Sequence, residues 1–322
     1  MAEKQDAYES ALKVAQLYYY HDMNTPEIAD ELDFSRAKVS RLLNYARSVG
    51  LVEIRIIDRR GVKHPLVDSL KEKFRALHEA YVLNVPEHAD SQTILTRVGQ
   101  YAAAKISNDI LTDNTIVGIS WGRTLLEVSS HLVPRPLHGV KFVQLHGNGF
   151  SSYAGNAYGP RLMRSFSEAF EAELILFPVP EMFQNDRTRE TLWQEPAVQK
   201  VVEYQKQADV LLFSIGSLQG GPESFLQQSV AVSADEIEEL VEARVVGHLA
   251  TMFFREDGSA HDVFLNKRST GPDLDLFRRV RRSVCVVAGQ DKVVPLHAAL
   301  KSGYISDLFI DERTAQRLVE LP

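Results

Sequence analysis

The sequence predicts an α/β protein in two parts: a short helical segment that ends in a strand, then a long region built as a doubly wound parallel sheet. Three observations point there. Between Asn24 and Val49, apolar residues recur at helical spacing in two short runs separated by a tight turn. From Ala80 onward, short apolar runs alternate with longer helical patterns, as in parallel strands joined by crossover helices. Glycine and polar residues gather just after those runs, at the strand ends where such sheets bind ligands.

At 322 residues the chain is long enough for two domains, and 44% hydrophobic with 25% charged residues is ordinary for a globular protein. A net charge of -7 argues against indiscriminate coating of nucleic acid. The charge is unevenly spread. Met1 to Phe34 holds two basic residues and eight acids, whereas Ser35 to Ile57 holds five basic residues (Arg36, Lys38, Arg41, Arg47, Arg55) and one acid, Glu53. A basic face on an acidic body suits site-specific binding. The single cysteine, Cys285, excludes an internal disulfide and lies in the apolar run Val284 to Val287, where a core thiol is expected. The first residues carry no apolar signal region and no run approaches the length of a membrane span, so the cytoplasm is the expected compartment.

Residues 8 to 20 predict a first helix with Leu12, Ala15 and Tyr19 on its inner side. Thr25 is the expected cap of the second helix, followed by Pro26 at a position where a missing N–H costs nothing. Ile28, Ala29 and Leu32 form its apolar stripe, and Ala29 is small where two helices must cross. Asp33 takes the turn position where glycine is common, which aspartate tolerates. Ser35 then caps a third helix that buries Val39, Leu42, Leu43 and Ala46 and leaves Arg36, Lys38, Ser40, Arg41, Asn44 and Tyr45 outside. Hydroxyl, amide and cationic groups on one exposed helix can reach phosphates and base edges, so this is a helix-turn-helix with a recognition helix. Val52, Ile54 and Ile56 alternate with Glu53 and Arg55, which predicts a strand and hence a winged variant, residues 1–57. Asp58 to Pro65 is polar and broken by Gly61 and Pro65, a solvated linker that opens the second domain, residues 58–322.

In that second domain Leu66, Leu70, Phe74 and Leu77 predict an entry helix. Strands are expected at 80–83, 115–119, 141–145, 174–177, 210–215, 283–288 and 305–310, and helices at 94–111, 124–132, 159–170, 195–207, 235–242 and 295–301. Four strand ends carry the candidate site. Gly118-Ile119-Ser120-Trp121-Gly122-Arg123-Thr124 brings backbone N–H groups, a guanidinium and a hydroxyl to the start of a helix, which suits a phosphate. His146-Gly147-Asn148-Gly149 with Asn156, Gly216-Ser217-Leu218-Gln219-Gly220-Gly221, and Ala288-Gly289-Gln290-Asp291-Lys292 complete a set suited to a small polar anionic ligand. Gly118 to Gly122 also matches the G-x-S-x-G nucleophile elbow, with Ser120 as nucleophile and Asp262 or Asp291 then His297 as partners. No glycine-rich oxyanion segment precedes it, and His297 falls within a helical pattern. The ten histidines show no H-x-x-x-H or H-E-x-x-H spacing, so no metal or cofactor is expected.

Across nearly its whole length the chain resembles bacterial transcriptional regulators of the SorC type, related to the central glycolytic genes regulators. The resemblance is carried by YYYHDMNTPEIADELDFSRAKVSRLL at 18–43, GISWGRTL at 118–125, GNAY at 155–158, ADVLLFSIGS at 208–217 and AGQDKVVPLHAALKSGYISDLFIDERTAQRL at 288–318. It implies a C-terminal Rossmann-like domain akin to sugar-phosphate isomerases and glucosamine-phosphate deaminases but used as an effector sensor. It also implies a phosphorylated sugar as ligand, operator DNA as partner, and a homodimer or homotetramer. The helix-turn-helix reading makes Thr25, Ser35, Arg36, Lys38, Ser40, Arg41 and Asn44 the residues expected to meet DNA. By position, the resemblance implies the following effector contacts. Gly118 and Trp121, Gly122, Arg123 and Thr124 hold the phosphate; His146, Gly147, Asn148, Asn156 and Gly216 line the sugar site; Lys292 adds a cation. Two positions depart from the pattern: Gln290 replaces a second glycine, and His248 stands where the family has aspartate. A sugar-phosphate isomerase or deaminase, or a serine hydrolase through Ser120, is the enzymatic alternative.

Overall fold

The computed structural model describes residues 2–52, 64–149, 158–218, 226, 229 and 231–322. Backbone proximity divides the chain into two compact units, Met1–Val62 with Val133–Arg135, and Lys63–Leu132 with Pro136–Pro322.

Among its described residues the first unit holds three helices, α1 (Ala2–Tyr20), α2 (Thr25–Glu31) and α3 (Arg36–Ser48). Asn24, not Thr25, caps α2. Its side chain accepts the Glu27 N–H at 3.1 Å while the Glu27 carboxylate accepts the Asn24 N–H at 2.8 Å, a reciprocal capping box that Thr25, already inside the helix, cannot make. Asp33 adopts the left-handed conformation (φ 53°) that the turn requires. Ser35 accepts the Lys38 N–H at 3.2 Å and starts α3. Helix α3 ends where Gly50 turns left-handed (φ 75°), letting Leu51 N–H reach the Ala46 carbonyl at 2.8 Å and Gly50 N–H reach Arg47 at 3.2 Å. The core joins Val39, Leu42, Leu43 and Ala46 to Ile28, Ala29, Ala11, Val14 and Ala15. Leu12, expected inside, is 37% exposed. The inner stripe of α1 runs instead through Ala11 and Ala15, whose small side chains suit its packing on α3. The expected strand from Val52 falls mainly on residues 53–57, outside the described residues.

The second unit begins with α4 (Pro65–Lys73), which stops before Phe74 turns extended, earlier than the apolar spacing predicts; Leu70, Phe74 and Leu77 are nonetheless all buried. Seven parallel strands follow: β1 (Glu79–Leu83), β2 (Ile116–Ile119), β3 (Lys141–Gln144), β4 (Glu173–Ile175), β5 (Val210–Phe213), β9 (Arg282–Val287) and β10 (Asp307–Asp311). Their spatial order is β1-β10-β9-β5-β2-β3-β4. Both faces are covered. Along β9, Cys285 and Val287 enter one core cluster and Val284 and Val286 the other, as the two-residue period of a strand demands. The helices are α5 (Ser91–Lys105, continued by a π-helical turn Ile106–Ile110), α6 (Arg123–Ser129), α7 (Tyr158–Phe170), α8 (Asp186–Leu192), α9 (Pro196–Lys206), α10 (Ala234–Glu242), α11 (Asp275–Arg279), α12 (Val293–Lys301) and α13 (Glu312–Glu320).

One feature is absent from the sequence reading. The run expected as a single strand at 210–215 breaks after Phe213, and its end, β6 (Ile215–Ser217), pairs with β7 (Val245–Leu249), itself paired with β8 (Met252–Arg255), in an antiparallel three-stranded sheet. Gly118 sits mid-strand in β2, where a Cβ would lie 2.6 Å from Leu145 and 2.7 Å from Leu211. Its glycine is a packing requirement of the sheet.

Candidate functional site

Strand order reverses between β2 and β5. From there the chain runs outward to β3 and β4 on one side and to β9, β10 and β1 on the other. Loops leaving neighbouring strands at such a point diverge to opposite faces and leave a crevice. A cavity of about 1020 Å³ occupies it, walled by residues that follow β1 (Asp90, Ser91), β2 (Ser120 to Leu125), β3 (His146), β5 (Ser214 to Ser217), β9 (Ala288 to Lys292) and β10 (Asp311, Arg313, Thr314), with His248, Ala250 and Thr251 from the antiparallel sheet.

Seven residues expected from sequence meet here: Trp121, Gly122, Arg123, Thr124, His146, Gly216 and Lys292. Lys292 Nζ lies 3.4 Å from the Thr124 hydroxyl. Burial lowers the Lys292 pKa from the usual ammonium value, Asp291 opposes that shift, and Arg123 adds to it. The Trp121 indole donates to the Gly147 carbonyl at 2.9 Å and its ring lies 4.9 Å from that of His146, while its main-chain N–H reaches His146 Nε2 at 3.4 Å. Burial, with the neighbouring His248, depresses the His146 pKa to about 3; burial and Lys292 depress His248 to about 4. Both imidazoles are therefore neutral at physiological pH. Gly216 faces His248 across β6 and β7, and a Cβ there would lie 2.0 Å from His248 Nε2, so only glycine lets the ring lie flat on the strand.

Gly118, Gly147 and Asn148 do not line the cavity. Gly147 is wedged against the Val179 and Pro180 carbonyls and donates to Thr270 Oγ1 at 3.0 Å; the Asn148 side chain accepts from Gln144 at 2.8 Å. These residues shape the loop that presents His146. Asn156 lies outside the described residues. The cavity also gains Asp90, Ser91, His248, Thr251, Asp311, Arg313 and Thr314, none of them expected as site residues. Asp90 and Asp311 were legible only as helix caps: they accept the N–H groups of Thr93 at 2.7 Å and Thr314 at 2.9 Å. Arg313 spends its donors on the carbonyls of Pro86, Glu87 and Ala89 and so fixes the loop before α5.

The hydrolase geometry is not assembled. Ser120 lines the cavity, but His297 does not: it packs edge-on against Phe74 with ring centroids 5.6 Å apart, and Asp262 pairs with Arg255 at 2.6 Å. Among the described residues no cluster of side chains could hold a metal ion, and no helix is long and apolar enough to cross a membrane. In the helical unit, Ser35, Arg36, Lys38, Ser40, Arg41 and Asn44 are all exposed and Thr25 is half-buried. Lys38 Nζ stands 3.4 Å over the ring of Phe34, in the turn before α3, and Arg41 Nε is 3.3 Å from the Ala37 carbonyl of α3 itself.

A parallel sheet with a polar cavity at its reversal point and a separate small helical unit define a ligand-binding α/β protein with an appended module. The chain belongs to the family described as "Putative sugar-binding domain", whose model matches residues 64–320, and it is a sugar-binding transcriptional regulator of the SorC type. It is 32% identical over 310 residues to the deoxyribonucleoside regulator of Bacillus subtilis, covering 96% of each chain. It is 26% identical to the sorbitol operon regulator of Klebsiella pneumoniae, covering 99% of this chain and all of that one. The full-length crystal structure of the Klebsiella SorC protein superposes with a TM-score of 0.72, covering 98% of this chain and 99% of that one at 26% identity. A domain of a possible sugar-binding transcriptional regulator from Arthrobacter aurescens superposes with a TM-score of 0.74 at 33% identity, covering 82% of this chain and all of that one.

Proposed function

We propose that this chain is a sequence-specific DNA-binding regulator of carbohydrate genes whose affinity for its operator is set by a phosphorylated sugar. The observation that carries this reading is that Arg123, Thr124 and Lys292 line one cavity, with the lysine ammonium 3.4 Å from the threonine hydroxyl. Two cations and a hydroxyl on one spot make a receptor for a group with several acceptor oxygens. Helix α6 has only seven residues, so the side-chain charges rather than a helix dipole supply most of the attraction. Trp121, His146 and Gly216 border the space beside that spot and take the sugar, with Gly118, Gly147 and Asn148 holding the frame; Asn156 is kept as a sugar contact from the family resemblance alone. No step of catalysis is assigned.

In this reading residues 1–57 are the DNA-binding unit and the remainder the sensor, and α3 enters the major groove. Arg36, Lys38, Ser40, Arg41 and Asn44 face DNA, and Ser35 and Thr25 meet the backbone at the helix starts. Three short helices contact few base pairs, so the working form is a homodimer or homotetramer on paired half-sites in the cytoplasm.

The test is a thermal-shift screen of the full chain against sugar phosphates and the matching free sugars. A ligand at a hundred times its dissociation constant stabilises the native state by about 2.7 kcal/mol. The expected result is a shift confined to phosphorylated compounds, lost in Lys292→Met; equal shifts from free sugars would overturn the phosphate assignment.

A further inference from the structure

Helix α3 buries Val39, Leu42, Leu43 and Ala46 against the core of its unit. A helix packed on one side presents a single narrow strip of surface farthest from that core. On α3 the strip runs through Ala37, Arg41 and Asn44, spaced by four and three residues and all exposed. Arg36, Lys38 and Ser40 are exposed as well but lie on the flanks of the strip. A helix seated in a major groove sets its outermost strip against the base edges and its flanks against the phosphate walls. The exposed residues of α3 are therefore not equivalent, and Ala37, apolar and so absent from those expected to meet DNA, stands on the reading strip.

Two contacts sharpen this division. The Lys38 ammonium stands 3.4 Å over the Phe34 ring, in the turn before α3. A compact charge held at a flank suits a phosphate, which asks for no fixed hydrogen-bond geometry. Arg41 folds back along the helix, its Nε 3.3 Å from the Ala37 carbonyl, in the N-terminal direction that helical side chains favour. With Nε turned to that carbonyl, the two Nη groups are the fork left for a partner, and a planar fork of donors matches O6 and N7 of guanine. The fold-back sets this fork beside Ala37. That methyl group offers no hydrogen bond and matches the C5-methyl of thymine. Asn44 carries a donor and an acceptor side by side, the complement of N7 and the N6 amino group of adenine.

Resting on the DNA-binding reading, we propose that the operator sequence is read by Ala37, Arg41 and Asn44, against a thymine methyl, a guanine and an adenine in turn, while Lys38 grips the backbone. Residues 37 to 44 rise about 10 Å along the helix axis and base pairs stack about 3.4 Å apart. The three bases therefore fall within about four consecutive pairs of each half-site, the guanine next to the thymine.

The test selects duplexes from a randomised pool with the full chain, with and without the sugar phosphates of the thermal-shift screen, and titrates the selected duplex by fluorescence anisotropy. The expected half-site holds guanine, adenine and thymine within that window. Arg41→Ala should abolish the preference for guanine at one position and Asn44→Ala that for adenine at another, each weakening the selected duplex about 5–150-fold. Lys38→Ala should weaken all duplexes alike and lower the salt slope by about 1. Changes made on the DNA alone cover the case of a variant that folds poorly. Removing the N7 acceptor with 7-deazaguanine should weaken the parent and cost Arg41→Ala nothing further. Deoxyuridine in place of thymine should cost about fourfold, the worth of one buried methyl group. Uniform losses from Arg41→Ala and Asn44→Ala with the base preferences intact overturn the assignment and leave the DNA-binding reading standing, as does a specific half-site that lacks these bases. Selection of no duplex in either condition removes the DNA-binding reading and this proposal with it.

Discussion

Glu181 is 6% exposed, has no hydrogen-bond partner for its Oε2, and points at Gly149, where a Cβ would lie 2.3 Å from that oxygen. Burial raises its pKa from 4.5 to about 7, partly offset by the Ser229 hydroxyl. A carboxyl that titrates higher in the fold than in the unfolded chain binds more protons when folded. Its contribution is complete below pH 4.5 and is lost as pH rises through about 7. Glu181→Gln, which cannot ionise, should therefore be more stable than the parent at pH 8, by up to ~3 kcal/mol, and should show no such gain at pH 5. Urea unfolding at both pH values measures it, and an equal effect at the two would remove the titration account. His146 and His248 act in the opposite sense: their depressed pKa values stabilise the fold above pH 6.5 and cease to do so as pH falls toward 4. That contribution is common to parent and variant and cancels in the difference. The residue scale is also where sequence reading was least complete. A glutamate between Pro180 and Met182 carries no pattern that announces burial, whereas His146 was recognisable as a site residue because it follows a strand and matches the family's sugar site by position.

Among the elements, the capping of α2 shows how a local rule can be right in kind and off by one position. Both Asn24 and Thr25 are good caps; the choice falls to Asn24 because Glu27 stands three residues after it and closes the reciprocal box. Asn24→Ala should cost ~1 kcal/mol in the thermal stability of the helical unit, whereas Thr25→Ala should cost little. Circular dichroism melting of the two variants separates the cases, and equal losses would return the cap to Thr25. On α3, Arg41 is exposed, and its Nε lies 3.3 Å from the Ala37 carbonyl of the same helix. If it reads a base, Arg41→Ala should weaken operator binding by ~1–3 kcal/mol; if it meets phosphate, the salt slope should fall by ~1. Fluorescence anisotropy at several salt concentrations reads both, and no change in either takes Arg41 off the DNA surface.

For the whole molecule the two activities must be linked through a difference in affinity. A ligand that bound the DNA-competent and incompetent states equally would shift nothing. The expected outcome is that a saturating sugar phosphate changes operator affinity by about 5–150-fold, and that operator DNA changes ligand affinity by the same factor, since coupling is reciprocal. Anisotropy and calorimetry on the same preparation test the equality. An effector that binds without altering DNA affinity would separate the sensor from the switch.

The sequence by itself determined the elements whose signals are local. The four buried positions of α3, its serine cap, the left-handed Asp33 and all seven parallel strands were legible because helical spacing, caps and apolar runs are properties of neighbouring residues. It also located the glycine-containing turns after β2 and β9 and, through the family's motifs, the sugar-binding regulator family to which the chain belongs. What only the tertiary structure decided depends on contacts between distant residues. The break after Phe213 that sends Ile215–Ser217 into a separate antiparallel sheet is one such outcome, and it brings His248 onto Gly216. The packing role of Gly118 between Leu145 and Leu211 is another. The cavity assembles side chains from residue 89 to residue 314, and whether a polar group there faces a ligand, a backbone carbonyl or a neighbouring acid is set by which partners the folded sheet brings within hydrogen-bonding distance.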